Sequence, residues 1–185
     1  TAQANNIKNS AVVFMYHKFG KPQYPSTNID IEIFDQHLEE FSKPKYSVLP
    51  LDFITDTIIN DGSLPLNTIG ISVDDADRSF LTTAWPKLKE KGFPVTLFVS
   101  TASIPNKGIK SNYLNWDEIR LLKSEGVNIG SHSHTHEHLA DYSFDELINE
   151  IEISNKIFLK ELGEIPNLFA YPYGEANKEM FELLN

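Results

Sequence analysis

Two stretches of the chain carry residues whose types and spacing could do chemistry. In "NIGSHSHTHEHLAD" (residues 128–141), four of the six histidines, His132, His134, His136 and His138, fall within seven residues. In "ISVDDADRSF" (71–80), two carboxylates, Asp74 and Asp75, directly follow an apolar run. Imidazole and carboxylate with an open position form the donor set of catalytic zinc, and of other divalent transition metals. Such a set serves hydrolysis, with one carboxylate on the ion and the other free to take a proton from water.

Spacing limits which histidines can share an ion. In an extended strand, residues four apart lie roughly 13 Å from each other, at about 3.3 Å per residue. In a helical turn, the same pair has Cβ atoms about 5–6 Å apart. His132 and His136 can therefore meet on one ion only if the chain curls as soon as a strand ends at Ser131. Two other sets compete: His132 with His134 as an H-x-H pair, or "HTHEH" (134–138), similar to the H-x-H-x-D-H signature of the metallo-β-lactamase superfamily. The plain alternative is solvated loop histidines without a ligand, and the density of the cluster argues against it. Adjacent carboxylates at a strand end oppose each other when both are ionised and buried, and a cation removes that conflict.

The elements that must position these groups alternate short apolar runs with amphipathic stretches. The runs are "AVVFMY" (11–16), "YSVLP" (46–50), "IGISVDD" (69–75), "PVTLFVS" (94–100), "VNIGSHS" (127–133) and "LFAYPYG" (168–174). Unbroken Val/Ile/Phe runs predict strands of a parallel sheet, buried on both faces. "NWDEIRLLKSEG" opens on the capping box Asn115–Glu118 and closes at Gly126, and "SFDELINEIEISNKIFLKELG" repeats the design with Ser143, Glu146 and Gly163. Pro86 predicts a kink or break within "DRSFLTTAWPKLKEKG". Repeated β-α units give an open α/β sheet or a barrel, and both place their sites at the C-terminal ends of strands. His17, Asp74, Asp75, His132 to His138 and Tyr171 to Gly174 all occupy such ends, which predicts one shared pocket.

The whole chain is compatible with this. Its 185 residues, 41% hydrophobic and 23% charged, predict a single domain over residues 11–185 after a polar extension, 1–10. The net charge of −10 argues against nucleic acid or anionic membranes as main partners. No apolar run is long enough for a transmembrane segment. With no cysteine, disulfides and thiolate metal sites are excluded. Six strands and an ending inside the amphipathic "EMFELLN" predict a C-terminal portion beyond this sequence.

Taken in order, "SVDDADRSFLTTAWPKLKEKGFPVTLFVS", "NIGSHSHTHEHL" and "FAYPYG" resemble the polysaccharide deacetylase family, also called the NodB homology domain or carbohydrate esterase family 4. With the early "VVFMYHKFG" (12–20), the resemblance is greatest to the biofilm poly-N-acetylglucosamine deacetylase branch and covers the chain from about residue 11 to its end. It implies an α/β fold, a distorted (β/α) barrel that is incomplete at the C-terminus. The implied reaction is metal-dependent removal of N-acetyl groups from a polysaccharide such as poly-N-acetylglucosamine, peptidoglycan or a chitin-like polymer. The implied ion is divalent, zinc before others, and the implied location is extracytoplasmic.

Residue by residue, the resemblance implies Asp74 as general base and Asp75, His132 and His136 as metal ligands, with Ser133 in support. Tyr171, Pro172 and Tyr173 would line one wall of the groove, the Tyr173 backbone N–H would help hold an oxyanion, and His17 would sit at the pocket rim or floor. Two positions depart from the family pattern. Ala76 replaces a glycine, and Ala170 replaces the arginine that would position the base, for which nearby Arg78 is the candidate substitute. The family's acid histidine belongs to a later motif. Two rivals stand beside this reading: a metallo-β-lactamase-type hydrolase using residues 134, 136 and 138, and an inactive carbohydrate-binding relative.

Overall fold

The computed structural model describes residues 10–184, so that all of the expected extension except Ser10 lies outside the described residues. Among the described residues, seven strands and four helices lead up to the site. They are β1 (Ala11–Tyr16), β2 (Lys18–Phe19), β3 (Asn28–Ile29), α1 (Ile31–Phe41), β4 (Ser47–Val48), α2 (Leu51–Ile59), β5 (Thr68–Val73), α3 (Trp85–Lys91), β6 (Thr96–Val99), α4 (Trp116–Ser124) and β7 (Asn128–Ser131). The long α5 (Phe144–Leu162) and a short α6 (Lys178–Leu184) follow.

The main sheet is parallel, and β5 is its centre. All six β5 residues are buried, as its unbroken apolar sequence requires of a strand covered on both faces. β1 runs along one edge of it, from Ala11 beside Thr68 to Tyr16 beside Val73. The opposite edge is shared: β4 pairs with Thr68 and Ile69, and β6 with Ser72 and Val73. β7 continues the sheet on β6, up to Ser131 beside Val99. There a Cβ on Gly130 would lie 2.3 Å from Phe98 Cε1, so the close approach of these strands requires glycine. Among the described residues the path β1-β5-β6-β7 does not close on itself.

Helices cover the sheet through Phe34, Phe80, Leu88, Ile119, Leu122 and Phe158, all fully buried. α4 carries both halves of its capping box, Asn115 Oδ1 accepting from the Glu118 N–H at 3.0 Å and Glu118 from the Asn115 N–H at 2.8 Å. At α5, Glu146 reaches back to the N–H and hydroxyl of Ser143, and Gly163 ends the helix at φ +78°. The Pro86 break takes a definite form: a π-turn, Phe80–Ala84, hands over to α3, so that the proline falls in the first helical turn, where its missing N–H costs nothing.

One expectation needs correction, and one feature is new. "LFAYPYG" does not form a sixth full strand. Its pairing is a single bridge, Ser131 to Phe169, after which Tyr171 passes into a 3-10 turn, Pro172–Gly174. Pro172 cannot donate to a ladder and Tyr173 adopts φ +59°, so extension stops there. The small parallel pair β2–β3 was not anticipated, its strands being two residues each.

Candidate active site

The candidate residues sit at the C-terminal ends of the parallel strands. Asp74, Ser100 and His132 each follow the last paired residue of β5, β6 and β7. Seven described non-glycine residues have positive φ, and five of them belong to the motif loops here: Asp75, Ala76, Ser133, His136 and Tyr173. Such backbone costs about 1–3 kcal/mol per residue and survives only where the surroundings enforce it. Ala76, in the position of the family glycine, keeps the left-handed turn at φ +55°.

A 540 Å³ cleft opens over these ends. His17, Asp74, Asp75, His132 and His136 line it, and Tyr171 and Tyr173 form part of its wall. Inside, three donor atoms converge. His132 Nε2 lies 3.1 Å from His136 Nε2, and Asp75 Oδ1 lies 3.3 Å from His136 Nε2 and 3.8 Å from His132 Nε2. The chemistry of this set fits a cation. His132 Nδ1 donates to the Ala170 carbonyl at 2.8 Å, an oxygen that can only accept, which puts the ring proton on Nδ1 and leaves Nε2 a bare lone pair. Burial also lowers the His132 pKa to about 4, keeping the ring neutral as a ligand must be. Asp75, His132 and His136 are the one such trio among the described residues.

The other histidines point elsewhere. His134 Nδ1 lies 2.8 Å from Thr101 Oγ1, and His138 Nδ1 2.8 Å from Glu175 Oε2. The His138 ring also stacks on Tyr173, centroids 4.0 Å apart. A 134/136/138 ligand set is not assembled, which removes the geometric basis for the metallo-β-lactamase-type rival.

The curl that makes an i,i+4 pair meet is built by Ser133, expected in support, and by partners on α5 and after β6 that sequence reading missed. Ser133, at φ +68°, accepts the His136 N–H on its hydroxyl at 3.1 Å. Glu150 Oε1 accepts from the His134 N–H at 2.8 Å, the Thr135 N–H at 2.5 Å and the Thr135 hydroxyl at 2.9 Å. Ser154 donates to the Ser133 carbonyl and Ser100 to that of His132. The signal was available: Glu150 and Ser154 occupy the buried stripe of α5 with Leu147 and Phe158, where a polar residue needs a buried partner.

Asp74 is held differently. Its N–H donates to the Tyr16 carbonyl at 2.8 Å, and its Oδ2 lies 4.0 Å from His17 Nε2. Its buried Oδ1 has no partner among the described residues. Burial, helped by the charge of Asp75, pushes the Asp74 pKa up to about 7, in the range of a group that exchanges protons at neutral pH. Burial lowers the His17 pKa, against the pull of Asp75.

The structure does not bring Arg78 to Asp74, where a substitute for the arginine missing at Ala170 would act. Its guanidinium bonds to Glu118 and to the carbonyls of Ser111 and Tyr113, so it fastens the Asp77 turn to the start of α4 instead of touching Asp74. Position 170 contributes its backbone carbonyl to His132 instead. Pro172 is buried and turns the chain; the cleft wall beside it is formed by Tyr171 and Tyr173. Asp77, also unanticipated, is 1% exposed and binds Lys21 and both the N–H and hydroxyl of Ser79.

Comparison with known proteins identifies the family and the fold. The polysaccharide deacetylase family model matches residues 61–185, more than half of the chain, and the chain belongs to that family. The Bacillus subtilis protein YxkH is 23% identical over 167 residues, covering 90% of this chain and 58% of its own length. The peptidoglycan-N-acetylglucosamine deacetylase PgdA of Listeria monocytogenes is 31% identical over 116 residues, 62% of this chain but 23% of that protein. The chain therefore spans well under two thirds of either relative. Among solved structures, IcaB from Ammonifex degensii aligns with a TM-score of 0.84 at 22% identity, over 95% of this chain and 79% of that one. The Streptococcus pyogenes deacetylase PplD, in complex with acetate, gives 0.82 at 22% identity, over 94% and 78%. The α/β fold with its parallel sheet is thus the fold of these deacetylases. Among the described residues, no helix is long and apolar enough to cross a membrane.

Proposed function

We propose that this chain is a metal-dependent hydrolase that removes N-acetyl groups from amino sugars of a polysaccharide outside the cytoplasm. The observation that carries this reading is the convergence of Asp75 Oδ1, His132 Nε2 and His136 Nε2 beside a buried Asp74 whose Oδ1 is unpartnered. Two imidazoles and one carboxylate would hold a divalent ion, and this donor set suits zinc. When bound, the ion supplies a Lewis acid for the acetamide carbonyl and makes nearby water more acidic.

The chain's own residues do the rest. Asp74 takes the proton from water as its oxygen attacks the acetyl carbon. The Tyr173 backbone N–H stabilises the oxyanion that forms, a contribution of about 3–4 kcal/mol for one well-placed donor. The carbon–nitrogen bond then breaks as Asp74 returns its proton to the leaving nitrogen, and the amine and acetic acid so formed ionise to ammonium and acetate. Tyr171 and Tyr173 offer aromatic faces to the sugar rings, and His17 flanks Asp74 at the cleft floor. The names of two relatives suggest the polymers to test first: peptidoglycan for PgdA, and poly-β-1,6-N-acetyl-D-glucosamine for the Staphylococcus aureus enzyme.

The test is acetate release from both polymers and from chitin oligomers, using the full-length protein loaded with zinc. Release that stops with chelator and returns with added zinc supports the reading. Polymer binding without acetate release would mark the chain as a binding relative instead.

A further inference from the structure

Lys18 opens β2, one residue past His17 of the cleft. Its side chain is 12% exposed, and its Nζ lies 3.9 Å from Asp75 Oδ2. The ammonium donates to Thr27 Oγ1 at 3.4 Å and lies 5.3 Å from the centroid of the Tyr24 ring. The backbone fixes the same position, since the Lys18 N–H donates to the Thr27 carbonyl at 2.9 Å and the residue pairs with Asn28 in β3. This is a cation placed by the fold, not a surface lysine that happens to swing inward.

The two oxygens of Asp75 consequently face different partners: Oδ1 the two imidazole nitrogens, Oδ2 the ammonium of Lys18. A carboxylate can hold a cation through one oxygen or through both. We infer that Lys18 sets the affinity and selectivity of the metal centre, by confining Asp75 to ligation through Oδ1 and by opposing the incoming positive charge. This rests on the reading that Asp75, His132 and His136 hold a divalent ion. The charge effect weakens every divalent cation. The loss of a second carboxylate oxygen falls hardest on ions that depend on oxygen ligands, such as Mn²⁺, and least on ions content with imidazole, such as Co²⁺ and Zn²⁺. Lys18 thus favours the latter.

The test measures metal binding directly on the metal-free, full-length protein, with Co²⁺ followed by its visible absorption and Mn²⁺ by its electron paramagnetic resonance signal. Lys18→Met should bind Co²⁺ on the order of tenfold more tightly than wild type, the scale expected for removing one charge this close to the site. Mn²⁺ binding should tighten by a larger factor, while Lys18→Arg, which keeps the charge, should stay close to wild type. Lys18→Gln, with a polar tip for Thr27, serves the same comparison should the Met variant not fold. Unchanged or weaker Co²⁺ binding in the neutral variants would overturn the role of Lys18 alone. Wild-type protein that takes up no Co²⁺, or whose uptake survives Asp75→Ala, would overturn the metal site itself and this inference with it.

Discussion

Asp74 and Asp75 are adjacent in sequence but divided in environment. Asp74 follows β5 into the interior, 4% exposed, with Oδ1 unpartnered, whereas Asp75, at φ +69°, turns its Oδ1 to within 3.3 Å of His136 Nε2. One peptide unit thus separates a carboxylate suited to a cation from one suited to a proton. The two substitutions should fail in different ways. Asp75→Ala should lose the bound ion along with activity, as determined by elemental analysis of the purified protein. Asp74→Asn should keep the ion and lose acetate release by about 10²–10⁴-fold, the usual contribution of a general base. Loss of the ion in Asp74→Asn would contradict this division.

The pH dependence of stability in the chelated protein offers a second check. Asp74 has a folded pKa of about 7 against an ordinary value of 3.8. The folded state therefore holds this proton more tightly than the unfolded chain. Stability from Asp74 is fully present below pH 3.8 and is lost as pH rises to about 7, by at most about 4 kcal/mol. His132, lowered to about 4, acts in the opposite sense, costing stability as pH falls below 6.5, so the net curve is flattened. The difference between Asp74→Asn and wild type isolates the first effect. In denaturant titrations at pH 4, 5.5 and 7.5, the variant should gain on wild type steadily as pH rises. A constant difference would show that Asp74 is not desolvated.

Glu150 gives a third prediction, because one oxygen of this buried side chain takes three hydrogen bonds from the loop between His132 and His136. Glu150→Ala strands two backbone N–H groups and should cost about 2–4 kcal/mol in chemical denaturation. It should also weaken Co²⁺ binding, since His136 depends on the same curl. Glu150→Gln keeps an acceptor oxygen and should recover most of both. Full metal affinity in a folded Glu150→Ala protein would show that the loop holds its shape unaided.

These outcomes also show which parts of the molecule were legible in sequence. β5 could be read because a strand covered on both faces must be apolar throughout, and the two capping boxes because their chemistry spans only three residues. The level of the site followed from strand ends, a consequence of parallel topology. Local pattern could not tell His136 from His134, because the curl depends on Glu150 and Ser154, a helix away. "LFAYPYG" looked like a strand since five of its residues are apolar or aromatic, yet Pro172 and the positive φ of Tyr173 and Gly174 limit it to a bridge. Lys18 gave no signal at all: a lone lysine after "MYH" reads as solvent-facing until β3 folds back and places Thr27 beside it.

Arg78 shows the same limit of sequence proximity and yields the last prediction. Three residues from Asp75, it was the natural candidate to stand in for the arginine replaced by Ala170. Its backbone N–H instead donates to the Asn112 carbonyl at 2.7 Å, while its guanidinium spans the Ser111 and Tyr113 carbonyls and Glu118, which also caps α4. The side chain is about one-third exposed, so solvent screens its ion pair and the bonds to carbonyls carry most of its effect. Arg78→Ala should therefore destabilise the fold by about 1–2 kcal/mol, read from the midpoint of urea unfolding. Because the guanidinium does not touch Asp74, the acid limb of the activity–pH profile should keep its midpoint. A shifted midpoint would restore Arg78 as a group acting on the base, whereas an unchanged one with lowered stability fits a staple between the Asp77 turn and α4.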